Sequence, residues 1–198
     1  MKITKIEAQV KAKGRYSVFV DDKFAFGISE SGLINSGLAI GQELSKDQLE
    51  DLKTNAKTDK LLNQTLSLIM RRPRSQWELE DYLKKKGVDE PEANQLITTL
   101  TEKGFVNDLD FAKRWVENRR LLKPISKLKL QFELRQKRVS DSIIKQVMTN
   151  DETEDIDVIK EEIARKRQQS RYKDETKLMR YLAGKGYRYD DIKRALSG

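Results

Sequence analysis

The side chains in this sequence best placed to do chemistry are cations, and the chemistry they offer is anion binding. Arg71, Arg72 and Arg74 fall just ahead of Ser75, a residue type that opens helices. Guanidinium groups and the unpaired N–H groups of a helix start then converge on one place, which is how anion sites are built. Downstream, FAKRWVENRR (111–120) carries Lys113, Arg114, Arg119 and Arg120, and SKLKLQFELRQKRV (126–139) carries Lys127, Lys129, Arg135, Lys137 and Arg138. Residues 111–138 hold ten basic side chains against Glu117 and Glu133, a surplus of +8 that equals the net charge of the whole chain. A footprint of this kind fits a polyanion or an acidic protein surface, the bland alternative being a solvated helical face.

Other chemistries are poorly supplied. The chain has no Cys and no His, so thiol nucleophiles, zinc fingers and His-based acid–base catalysis are excluded. Asp108 and Asp110 are the obvious carboxylate pair for a metal-dependent nuclease, but acids at a helix start are ordinary caps. Asp21-Asp22 reads as a polar hairpin turn. No GxxxxGK[ST] phosphate loop occurs. We expect no catalytic residues, no metal and no cofactor. MKITKIEAQV lacks the apolar stretch of a signal peptide, and no apolar run approaches the roughly 18–20 residues that span a bilayer. A cytoplasmic protein, monomeric and not bound to membrane, is the expectation.

The elements that must position these cations are of two kinds. In residues 1–57, Thr4, Ile6, Ala8 and Val10 alternate with polar residues, as do Tyr16, Val18 and Val20, then Phe24, Phe26 and Ile28. Period two predicts strands, hinged at Asp21-Asp22. Gly32, Gly37 and Gly41 punctuate an irregular stretch, and Ser45 with Gln48 forms a capping box for a helix to about Ala56. From Thr58 onward the period becomes 3.6. The stretches 75–88, 126–139 and 175–187 align without a gap: Leu79, Leu130 and Leu178 coincide, then Leu83, Leu134 and Leu182, then Lys86, Lys137 and Lys185. Such a repeat, about 50 residues long, means an array of helical units.

The expected architecture is therefore mainly α: a small strand-rich α/β module over 1–57, then three-helix repeats over 58–106, 107–150 and 151–198. Apolar residues are 37% and charged residues 36%, which suits an elongated, curved array better than one large core. In FAKRWVENRR, Phe111, Ala112, Trp115 and Val116 form the stripe to be buried. Lys113, Glu117 and Arg120 line another face, where Glu117 can pair with either cation. Arg119 borders the stripe and can lie across Trp115. In 126–138, Leu128, Leu130, Phe132 and Leu134 are expected on the apolar side.

MRRPRSQWELEDYLKKKG (70–87), followed by LITTLTEKGFVNDLDFAKRWVENRR (96–120), resembles the RecX family of recombination regulators. The pattern is carried by Arg72, Arg74, Ser75, Glu78, Leu79, Leu83, Lys86 and Gly87, then Leu100, Gly104, Asp108, Phe111, Ala112, Trp115, Val116 and Arg119. The resemblance implies tandem three-helix repeats that bind the RecA filament along its groove and touch the DNA within it. It implies inhibition of ATP hydrolysis and strand exchange, without catalysis, in DNA repair and the SOS response. The twelve cations Arg71, Arg72, Arg74, Lys113, Arg114, Arg119, Arg120, Lys127, Lys129, Arg135, Lys137 and Arg138 are then the candidate contacts to RecA or DNA. A basic helical protein that binds DNA directly is the alternative. Two positions depart from the family: Arg138 stands where a glycine usually ends the middle helix of the second repeat, and Ile125-Ser126 where a glycine is common. An Arg without positive φ would alter that helix exit.

Overall fold

The computed structural model describes residues 1–10 and 12–197. Met1–Arg71 and Arg72–Gly198 form two compact units.

Among the described residues the first unit is a three-stranded antiparallel meander with two helices. Strands β1 (Ile3–Ala8), β2 (Arg15–Val20) and β3 (Lys23–Ser29) pair in the order β1-β2-β3. Asp21 and Asp22 both have positive φ, 47° and 61°, which makes the β2–β3 connection a two-residue turn whose twist matches that of the strands. The alternation is interrupted twice. Thr4 is the extra residue where β1 shifts register against β2, so Ile3 and Ile6 lie opposite Val20 and Val18. Ala25 plays the same part in β3, so Phe24 does not share the face of Phe26 as its spacing implies. It sits 60% exposed against Phe19, with ring centroids 6.0 Å apart.

Two helices differ from expectation. The stretch after β3 is not irregular: α1 (Glu30–Ser36) is capped by Ser29 Oγ, which accepts from Gly32 N at 2.9 Å. The Ser45–Gln48 capping box is formed, but the helix it opens runs unbroken as α2 (Lys46–Arg71), through the expected break near Ala56. No Gly or Pro lies between Lys46 and Arg71, so nothing stops propagation once it has begun. Ile3, Val18, Val20, Phe26 and Ile28 bury against Leu44, Leu49 and Ala56.

The second unit is all helical: α3 (Gln76–Lys85), α4 (Glu90–Glu102), α5 (Asp108–Leu122), α6 (Lys127–Gln136), α7 (Asp141–Thr149), α8 (Asp155–Arg167), a 3₁₀ turn at Ser170–Lys173, α9 (Glu175–Gly184) and α10 (Tyr189–Ser197). Ser75, Asp89, Asn107, Ser126, Ser140 and Asp174 each accept a hydrogen bond from the first turn they precede. The aligned leucines Leu79, Leu83, Leu130, Leu134, Leu178 and Leu182 are all buried. Helices α5–α7 enclose one core around Leu130 and Leu134, and α8–α10 another around Leu178 and Leu182. Leu128 and Phe132, expected on the apolar side of α6, are instead 63% and 58% exposed. Residues two apart cannot share a helix face, and Leu130 and Leu134 take the inner one.

Arg138 has φ 57°, the left-handed conformation that Gly87 and Gly186 adopt at the equivalent helix exits. The helix exit is thus conserved in geometry although the residue is not glycine. Gly186 has a second reason to be glycine: a Cβ there would lie 2.6 Å from Ser126 Oγ and 2.9 Å from Lys129 Cβ.

One junction is built twice. Gln76 N at the start of α3 donates to Asp108 Oδ1 at the start of α5, 2.8 Å away. Lys127 N at the start of α6 donates to both carboxylate oxygens of Asp155 at the start of α8, at 3.0 and 3.1 Å. The middle helices of the first two repeats thus have their N-termini capped by an acid from the next repeat, which satisfies an orphan N–H and the helix dipole together. Burial raises both Asp pKa values, the hydrogen bonds only partly offsetting it. Among the described residues no helix is long and apolar enough to cross a membrane.

Candidate anion-binding face around α5

Helix α5 positions the centre of the basic segment. Asn107 caps it, its Oδ1 accepting from Leu109 N and Asp110 N, both at 3.0 Å. Asp108 and Asp110 occupy the first turn and Arg119 and Arg120 the last, each matched to the dipole. The helix stops at Lys123, ahead of Pro124. Phe111, Ala112 and Val116 are buried as expected. Trp115 is only half-buried, at the edge of the core, its ring 5.6 Å from that of Phe111.

Two carboxylates organise the cations near Trp115. Glu133 Oε2 accepts from Trp115 Nε1 at 2.9 Å and from Arg119 Nε at 2.8 Å. The Arg119 guanidinium lies over the indole, 5.1 Å from its centroid, and Lys137 Nζ lies 5.4 Å from the same centroid. Glu78 completes the capping box with Ser75. It also accepts from both Arg72 terminal nitrogens, at 3.2 and 2.9 Å, and from Lys137 Nζ at 2.9 Å. Burial would raise the Glu78 pKa, but its bonds to Arg72 and Lys137 prevail and hold it at about 2.

The twelve predicted cations therefore do not share one role. Arg120 is not on an outward face beside Glu117. Its side chain is 12% exposed and reaches Asp151 at 2.7 Å, Asp155 at 3.5 Å and the carbonyl of Ile125 at 2.9 Å, tying α5 to the start of the third repeat. Burial pushes the Asp151 pKa up, and the hydrogen bonds and charge of Arg120 pull it below the usual range. Arg119 and Lys137 are held by Glu133 and Glu78. Lys127 pairs with Glu154, and Lys129 donates to the carbonyl of Gly184 at 2.7 Å. Arg72 is pinned to Glu78 but 45% exposed. Arg71 and Arg138 are exposed, as are Lys113 and Arg114; Arg114 pairs with Asp110 one turn back. Arg135 pairs with Asp141 on the surface. Arg74 is half-buried, its Nε without a protein partner.

A cavity of about 340 Å³ opens between the Arg72–Pro73 turn and α5, lined by Phe111, Arg114, Trp115, Asn118, Arg119, Leu122 and Lys123. Lys123, Leu122, Asn118 and Pro73 were not among the sequence candidates. The signal was present: 111, 115, 118 and 122 recur at helical spacing, and Lys123 follows Arg119 by one turn. As for the carboxylate pair, Asp108 caps α3 and Asp110 holds Arg114, and no group of three or more acids in the described residues is placed to hold a metal ion.

Known proteins match along the whole chain. The model of the regulatory protein RecX N-terminal domain matches residues 1–45, and those of the first, second and third RecX three-helix domains match 62–100, 107–148 and 153–196. A regulatory protein RecX of Leuconostoc mesenteroides is 31% identical over 195 residues, covering 96% of this chain and 72% of the relative. One of Clostridium botulinum is 31% identical over 199 residues, covering 97% and 93%. A crystal structure of regulatory protein RecX, 26% identical, superposes over 100% of this chain and 99% of that one with a TM-score of 0.69. RecX from Lactobacillus salivarius, at 20% identity and a TM-score of 0.56 over 71% of this chain and 94% of that one, shares the fold. The chain belongs to the RecX family of regulatory proteins.

Proposed function

We propose that this protein is a non-enzymatic regulator of homologous recombination and DNA repair. In this reading it works in the cytoplasm as a monomer, lies along the groove of the RecA–DNA filament and inhibits ATP hydrolysis and strand exchange. The observation that carries the reading is the match of all four RecX segments in order along one chain. The surplus of exposed cations on the second repeat supports it: Lys113, Arg114, Lys123 and Arg138 offer positive charge to acidic side chains and to phosphates. The test is RecA's DNA-dependent ATPase with added protein. Inhibition near stoichiometric ratios is expected, and none at several-fold excess would sink the proposal. Binding to DNA alone that falls steeply with salt and gains nothing from RecA would favour a plain DNA binder instead.

A further inference from the structure

We propose that the cavity between the Arg72–Pro73 turn and α5 is a docking pocket for an acidic protein segment that inserts one apolar anchor side chain. The inference deepens the filament reading by assigning a protein contact to one place, and it rests on that reading for the partner's identity alone.

The floor is apolar. Phe111 and Trp115 form its base, and Leu122 stands at its side 68% exposed, a large apolar residue that the fold leaves uncovered. About 340 Å³ is room for one large side chain. The walls are positive: Arg72, Arg114, Arg119 and Lys123 all line the cavity, and no carboxylate does. Three of these cations are held by Glu78, Asp110 and Glu133 outside the lining, which fixes their positions. Lys123 is exposed, with no carboxylate partner among the described residues. Apolar floor and basic walls together call for an apolar side chain flanked by Asp or Glu.

Nucleic acid fits less well. Base recognition without pairing relies on an open aromatic face. The Trp115 ring already has Phe111 at 5.6 Å and tilted by 36°, the Arg119 guanidinium at 5.1 Å and Lys137 Nζ at 5.4 Å. Its indole N–H is spent on Glu133. Leu122, which also lines the cavity and is 68% exposed, suits an aliphatic or aromatic anchor better than a stacked base.

Trp115 reports on the pocket once Trp77→Phe makes it the single indole. In that full-length background, a synthetic Asp/Glu-rich peptide with one central Phe should shift Trp115 emission. It should bind about tenfold more tightly than the same peptide with Ala in place of Phe. Leu122→Asp combined with Lys123→Glu should abolish that difference without lowering the melting temperature. The pocket is overturned if the two peptides bind alike, or if a thymidine oligonucleotide shifts Trp115 and displaces the Phe peptide at lower concentration. The same double variant should lose inhibition of RecA's ATPase. Inhibition retained in full would overturn the pocket and leave the filament reading standing. Wild-type protein that binds the peptide but never inhibits RecA would support the pocket and sink the filament reading alone.

Discussion

Lys137 Nζ lies 2.9 Å from Glu78 Oε1, joining positions 59 residues apart. The end of the second repeat's middle helix is thereby fastened to the N-terminal turn of α3. The same carboxylate holds Arg72 at the lip of the cavity, so one acid serves a helix cap, a junction between repeats and the site.

Glu78→Ala should cost about 3 kcal/mol of unfolding free energy, because it removes the capping box and leaves Lys137 partly buried without a counter-ion. Lys137→Met should cost less, about 1 kcal/mol, since Arg72 still neutralises Glu78. Urea denaturation of the two variants measures both, and equal losses would contradict the hub.

Glu78 also sets a direction for pH. Its pKa is lowered from 4.5 to about 2 on folding, so protonation favours the unfolded chain. The stability it supplies is complete above pH 4.5 and is lost as pH falls toward 2. With allowance for solvent screening this amounts to about 2 kcal/mol. Asp151, also lowered, acts in the same sense, whereas Asp108 and Asp155 are raised and act against it. Glu78→Gln should therefore lose less stability than wild type between neutral pH and pH 3. An unchanged pH slope would show that Glu78 does not carry the effect.

Arg138→Gly should raise stability by about 1 kcal/mol, since a left-handed backbone costs Arg what it does not cost glycine. Gly186→Ala should lower it by more than this, because the same backbone penalty is joined by contact with Ser126 and Lys129. Thermal melting should move in opposite directions for the two.

Arg120→Ala should cost about 3 kcal/mol by stranding the Asp151 carboxylate, whose side chain is 6% exposed. Lys113→Ala with Arg114→Ala should stay within about 0.5 kcal/mol and weaken filament binding instead. A double variant of the outward pair that binds filaments normally would show that their charge only solubilises the protein.

Trp115→Phe should keep most of the packing on Phe111 and lose the bond to Glu133, at about 1 kcal/mol. Trp115→Ala should cost about 2–3 kcal/mol, below the loss for a fully buried indole, because Trp115 stands at the edge of the core. Chemical denaturation of the pair separates the hydrogen bond from the packing.

The helical repeats were legible in the residues alone. The leucine columns at 79, 130 and 178 and at 83, 134 and 182 are buried, and Ser75 caps α3 as its residue type implies, because helix period and capping are local properties. The family was legible there too, because its motif pair is linear. Which cations are free depends on contacts between helices far apart in the chain. Arg120 finds Asp151 across 31 residues, Lys137 finds Glu78 across 59, and Arg119 shares Glu133 with Trp115, so charges that look alike in the sequence are spent on packing or left to solvent. Phe24 and α1 were hidden for a related reason: a one-residue bulge reverses a strand face, and a seven-residue helix rests on its Ser29 cap rather than on any periodic stripe. Side-chain partners are chosen by which helices meet, and a pattern with a period of three or four residues carries no information about that meeting.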